Sequence, residues 1–212
     1  MTDLSVKHPV FSSEADFQFA LAWEIKAHYP ECNVIMEYVP EYDPDIHIDI
    51  VVYDGKFIPI ELKYKTCKSH FELNGVHYYL KNHGAKDVNC YKYLYDIQRL
   101  EAFGKEYSDK FSAGYAIFLT NFDSYRNPPQ SADCVYSQFS LENRAIKTGV
   151  MDWSSKASKG TKKGCEDPIS LKGKYIIDWQ LYSNPDDEKF YMTIAEIKPS
   201  YLNLSEVDNL AR

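Results

Sequence analysis

The chain has 212 residues, of which 44% are apolar, 15% aromatic and 26% charged. That apolar share supports a packed core and excludes a disordered chain; the length fits one domain. The net charge of −7 excludes an indiscriminate polyanion binder, because affinity for nucleic acid depends on Lys and Arg neutralising phosphates, but it leaves room for a local basic groove. The five cysteines, Cys32, Cys67, Cys90, Cys134 and Cys165, are scattered without a C-x-x-C pair. They imply neither a zinc knuckle nor a disulfide framework and fit a reducing cytoplasm. Residues 1–13 contain no apolar stretch of the signal-peptide kind, and no run approaches the roughly 20 apolar residues of a membrane span.

In chain order, Ser12-Ser13-Glu14-Ala15-Asp16 reads as a helix start, with a capping serine and acids in the first turn. Phe17, Leu21, Trp23, Glu24 and Ile25 continue that helix to about His28, before Pro30. Asn33–Val39 reads as a strand. Two strand-like runs follow, His47–Tyr53 and Lys56–Lys65, separated by the hairpin signal Asp54-Gly55.

These two runs carry the most informative residues. Ile48, Ile50 and Val52 are even-numbered, as are Ile58, Ile60 and Leu62. Strand side chains alternate faces, so both triads reach one core face only if partner numbers sum to an even value. A three-residue loop Tyr53-Asp54-Gly55 with Gly55 left-handed achieves this; a two-residue turn would need a bulge near Pro59. Asp49, Glu61, Lys63 and Lys65 then share the opposite face. Carboxylates ~4 Å apart repel by ~4 kcal/mol at an effective dielectric near 20, so the pair requires a raised pKa or a cation between them. A divalent ion on Asp49 and Glu61 would supply that charge. Mg²⁺, with Mn²⁺ as substitute, is the hard, oxygen-preferring candidate. Lys63 would then serve a phosphate or a water.

Cys67–Asp87, with His70, His77 and His83, reads as a loop or lid with a short strand at 71–73. A helix is expected over about Asp87–Tyr107, with Val88, Tyr91, Leu94, Ile97, Leu100 and Phe103 as its core stripe. Ala113–Thr120 reads as a central strand buried on both faces. Asn121–Cys134 is turn-rich. Met151–Lys174, rich in lysine, reads as a mobile loop, and Lys159, Lys162 and Lys163 are its candidate phosphate contacts. Lys174–Tyr182 and Phe190–Ile197 read as two further strands.

Ile48-Asp49-Ile50 followed by Ile60-Glu61-Leu62-Lys63 resembles the PD-(D/E)XK, or restriction endonuclease-like, nuclease superfamily. The stretches Gly84-Ala85-Lys86-Asp87 and Tyr95–Glu101 are similar to a poorly characterised bacterial branch of it. The usual Pro before the first Asp is replaced by His47-Ile48. The resemblance implies an α/β fold with an α-β-β-β-α-β core over about residues 12–122: a mixed central sheet flanked by helices. Residues 123–212 then form a C-terminal β extension of the same domain. It further implies metal-dependent phosphodiester hydrolysis of nucleic acid, DNA before RNA, leaving a 5′-phosphate. By the same resemblance the Leu62 carbonyl adds a metal ligand. The first helix contributes Glu14, with Glu24 as competitor, and the second long helix presents Gln98. Lys65 shares the Lys63 face and is a candidate contact to a neighbouring phosphate. The alternative is a catalytically silent nuclease-fold module, binding or scaffolding within a defence or repair complex, as a homodimer or with a partner protein.

Overall fold

A computed structural model describes residues 2–131 and 133–202; the last ten residues of the expected C-terminal extension lie outside the described residues. Helix α1 (Thr2–Lys7) precedes α2 (Glu14–His28), which is capped as its sequence requires: the Ser13 hydroxyl accepts the Asp16 N–H. Strands β1 (Asn33–Tyr38), β2 (Ile48–Tyr53) and β3 (Phe57–Lys65) form an antiparallel meander. A hairpin of β4 (Ser69–Leu73) and β5 (Val76–Leu80) intervenes before α3 (Lys86–Glu106) and β6 (Gly114–Thr120). Then come β7 (Ile146–Met151), the single turn α4 (Lys159–Lys162), β8 (Ile169–Ile176), β9 (Gln180–Ser183), β10 (Phe190–Ile197) and α5 (Pro199–Leu202).

The central sheet runs β1-β2-β3-β6-β10-β9. It is mixed: β3 pairs in parallel with β6, and the other neighbours are antiparallel. Each face has its own core. Ile50, Val52, Ile60, Leu62, Ile117 and Leu119 pack beneath Phe17 and Leu21 of α2. Val51, Ala116 and Phe118 pack against Leu94, Ile97 and Leu100 of α3, a core that the β7–β8 ribbon extends through Met151, Ile169 and Leu171. The architecture is therefore mixed α/β, a central sheet flanked by helices.

The even-sum register expected from the apolar triads is present: Ile50 faces Ile60 and Val52 faces Ile58. The loop lies two residues further in the partner sum than anticipated. Tyr53 pairs with Phe57, and Asp54-Gly55-Lys56 make the turn, with Gly55 left-handed (φ +72°). Ile48 departs from its triad, joining the α3-side core at the start of β2.

Two expectations fail. The segment after Cys67 is a β-hairpin rather than a loop with one short strand; its turn is Asn74-Gly75, both at positive φ, the strongest two-residue hairpin signal. The lysine-rich segment 151–174 is not a continuous loop. It contains α4 and the start of β8, whose Ile169 and Leu171 are buried and whose partner is β7. That strand begins five residues before the expected Lys174, and β7 itself was not foreseen. Among the described residues, no helix is long and apolar enough to cross a membrane.

Candidate active site at the junction of β2, β3 and α3

The β2–β3 ladder runs from Tyr53–Phe57 to Ile50–Ile60. Beyond it, the Asp49 carboxylate rather than the β2 backbone takes the Leu62 N–H, at 2.6 Å. The Asp49 main chain is held from α2, where the Gln18 amide donates to its carbonyl at 2.6 Å and to Glu37 at 2.7 Å. Asp49 is thus fixed at the point where the two strands part. The break in the ladder is a local consequence of an acid short enough to reach its neighbour's backbone.

Glu61 and Lys63 project from β3 toward α3, as strand alternation requires, and α3 answers with Asp96 and Arg99. The Arg99 guanidinium lies 2.9 Å from Glu61 Oε1 and 3.7 Å from Asp96 Oδ1. Lys63 Nζ lies 2.5 Å from Asp96 Oδ2. Arg99 also donates to the His47 carbonyl, tying α3 to the start of β2. Glu61 is only 2% exposed and Asp96 3%. Glu61 Oε1 and Asp96 Oδ2 are buried, and each faces a cation, Arg99 and Lys63 respectively.

Burial sets the titration of this cluster. Desolvation pushes the Asp49 carboxyl up, against the opposing pull of the Leu62 N–H and of Lys63. It pushes Glu61 well above the ordinary range, with Asp96 adding repulsion and Arg99 opposing. Asp96 is likewise raised by burial, and Lys63 counteracts. For Lys63, burial favours the neutral amine, but Asp96 and Glu61 outweigh it and the ammonium is held beyond its usual range.

The remaining residues singled out from the sequence divide. Glu14 Oε2 accepts the Tyr64 N–H at 2.7 Å and pairs with Lys65 at 2.8 Å, so it caps the end of β3 while adding negative potential at Asp49, Lys63 and Asp96. Lys65 is engaged by Glu14. Glu24 lies elsewhere, paired with Lys7. Gln98 is turned away: its Oε1 accepts the Ser170 N–H of β8 at 2.5 Å. What α3 brings to the acids is Asp96 and Arg99. On sequence this i, i+3 pair reads as an internal helix contact; the missing signal is that Asp96 lies one turn above Leu100 on a buried helix face, where an acid needs a cation.

Lys63 of β3 and Tyr91, Lys92, Tyr95, Asp96 and Arg99 of α3 line a cleft of about 430 Å³, whose other wall is residues 164–167. The basic segment with Lys159, Lys162 and Lys163 therefore leads directly into the wall of the cleft.

Asp49, Glu61 and Asp96 offer carboxylate oxygens, the donor type that a hard divalent ion prefers. Among the described residues, however, no three His, Cys, Asp or Glu side chains are grouped to hold one. Asp49 and Glu61 are a pair, completed in charge by Lys63 and Arg99.

Neither models of known protein families, nor curated proteins, nor solved structures give a match to this chain.

Proposed function

We propose that this protein hydrolyses phosphodiester bonds in nucleic acid, DNA before RNA, at a PD-(D/E)XK-type site formed by Asp49, Glu61 and Lys63. The observation that carries the reading is the convergence of these three side chains where β2 and β3 part, with Glu61 and Lys63 buried against α3. Uncompensated, such burial is costly, and an ordinary surface hairpin has no need of it. With the β4–β5 hairpin set aside as an insertion, the element order α2-β1-β2-β3-α3-β6 supports the same reading, since it is the order that the resemblance implies.

Asp49 and Glu61 would hold the divalent ion, with the Leu62 carbonyl as a further ligand. When bound, such an ion lowers the pKa of a water and offsets charge on the phosphate. The protein's own contribution is positional. The Leu62 N–H and Gln18 fix Asp49 at both side chain and backbone. Asp96 holds the Lys63 ammonium protonated and aimed into the cleft, where it can donate to a phosphate oxygen. Arg99 keeps Glu61 ionisable despite its burial. Lys92 at the cleft and Lys159, Lys162 and Lys163 beside it supply positive charge along a strand in an otherwise acidic molecule.

One observation favours a second reading. Lys63 and Arg99 already neutralise Asp96 and Glu61, so the cluster is closed without an ion, as a silent binding module would need. The deciding experiment offers supercoiled plasmid, linear duplex and single strands with Mg²⁺ or Mn²⁺ to wild type, Glu61→Ala and Lys63→Ala. Cleavage by wild type alone supports hydrolysis. Absence of cleavage, together with absence of calorimetric ion binding that Asp49→Ala removes, would transfer the site to the binding module.

A further inference from the structure

The cleft beside Lys63 carries a feature that phosphodiester hydrolysis does not require. Three aromatic rings are layered at one wall, two of which, Tyr91 and Tyr95, line it. Trp153 and Tyr91 lie 5.6 Å apart at 16°, and Tyr91 and Tyr95 lie 6.1 Å apart at 11°. Trp153 is buried at one end, whereas Tyr95 at the other is 39% exposed and lines the cleft. The facing wall is anchored to this stack. The Trp153 indole N–H donates to the Cys165 carbonyl at 2.7 Å, and the Tyr91 hydroxyl to the Asp167 carbonyl at 2.8 Å. The facing wall is therefore tied at a fixed spacing by side chains set in the core, and the opening beside them is preformed.

The charges around the opening are ordered. Lys63, Lys92 and Arg99 lie on the β3 and α3 side; Glu166 and Asp167 lie on the other. We infer that this cleft is a pocket for one unpaired nucleotide of a nucleic-acid strand. The base stacks on Tyr95, the phosphate meets the cations, and the Glu166–Asp167 wall accepts from the base's amino or imino N–H groups. A volume of about 430 Å³ suits a single nucleotide. A base within a duplex has both faces covered by its neighbours and cannot offer one to Tyr95, so the pocket selects nucleotides that are single-stranded, bulged or extruded. Every base has a π-face, so stacking here sets strand state rather than sequence; the acidic wall favours bases with N–H groups on their pairing edge. This deepens the hydrolytic reading by naming its substrate class, and it rests on that reading only for the chemistry, not for the binding.

The test is fluorescence anisotropy in EDTA with three labelled hairpin duplexes: fully paired, carrying one bulged adenine, and carrying one bulged abasic residue. Wild type, Tyr95→Ala and Tyr95→Phe are compared. Wild type is expected to bind the adenine bulge about tenfold tighter than the other two, in keeping with the loss typical of removing one stacking ring. Tyr95→Ala should erase that preference and leave paired-duplex binding unchanged; Tyr95→Phe should keep it. Equal binding of all three duplexes by wild type overturns the proposal. So does a Tyr95→Ala protein that retains the preference, or one that weakens all three duplexes alike. A bulge preference in EDTA without cleavage in Mg²⁺ would leave the pocket standing and remove hydrolysis, whereas cleavage without the preference would do the reverse.

Discussion

Lys63 on β3 and Asp96 on α3 form an ion pair of 2.5 Å in which both side chains are almost withdrawn from solvent. The pair does two things. It joins the sheet to its longest helix, and it keeps charged the lysine that a phosphate would meet. Each partner alone would be a buried charge in search of compensation, and the expectation for each variant depends on which charge is left behind.

Lys63→Met should destabilise the protein by about 3 kcal/mol, because it leaves the buried Asp96 of α3 with the longer Arg99 contact in place of its nearest cation. Adding Asp96→Leu should recover most of that loss, since an apolar pair of similar volume carries no desolvation cost. Urea unfolding of the two single variants and the double variant measures the coupling. Strictly additive losses would show that the two residues do not interact.

The pH dependence follows from the raised carboxyls. Glu61 holds its proton more tightly folded than unfolded, where a glutamate titrates near ~4.3. Its contribution to stability is complete below that value and is lost as pH rises through the folded pKa. Glu61→Gln removes this loss and relieves repulsion on Asp49 and Asp96. The variant should therefore gain stability relative to wild type as pH rises above ~4, and thermal unfolding at a series of pH values reads the difference. A constant offset between the two proteins across that range would mean that Glu61 does not titrate differently on folding.

Gln98→Ala and Asp96→Asn separate the two roles of α3. Among the described residues Gln98 accepts the Ser170 N–H of β8, away from the acids, so its loss should cost about 1 kcal/mol and leave cleavage untouched. Asp96→Asn should abolish cleavage, because the neutral amide no longer secures the Lys63 ammonium. Stability and plasmid-cleavage assays on both variants check this. Equal loss of activity in both would return Gln98 to the site.

Glu101 should prove a main fastening of β8 to α3. Its carboxylate is buried and accepts the Lys172 and Gly173 N–H groups and the Tyr175 hydroxyl. Glu101→Ala removes the acceptor of the buried Gly173 N–H and Tyr175 hydroxyl and should cost more than about 2 kcal/mol, at about 1–3 kcal/mol per unsatisfied buried group. Hydrogen exchange should show β8 amides losing protection before those of β3 and β6. Uniform loss of protection through the sheet would show that the ribbon is not a separately opening unit.

Where neighbouring residues decide a feature, the sequence is sufficient. The Ser13 cap, the Asp54-Gly55 turn, the even-sum register of β2 and β3 and the doubly buried β6 all follow from propensity and from strict alternation of faces. So does the placing of Asp49, Glu61 and Lys63 on a common side of two adjoining strands. The Asn74-Gly75 hairpin was equally legible and lay concealed among polar residues that resemble a loop. Only the tertiary structure decides which residue of α3 meets those charges. Gln98 and Asp96 are both polar positions on one helix, but rotation of the helix against the sheet turns Asp96 and Arg99 to β3 and Gln98 to β8. The same holds for the cleft. Tyr91 and Tyr95 belong to a recognisable helix, yet Trp153 and residues 164–167 reach them from more than fifty residues away. Packing between elements distant in the chain fixes such contacts, and no local periodicity encodes them.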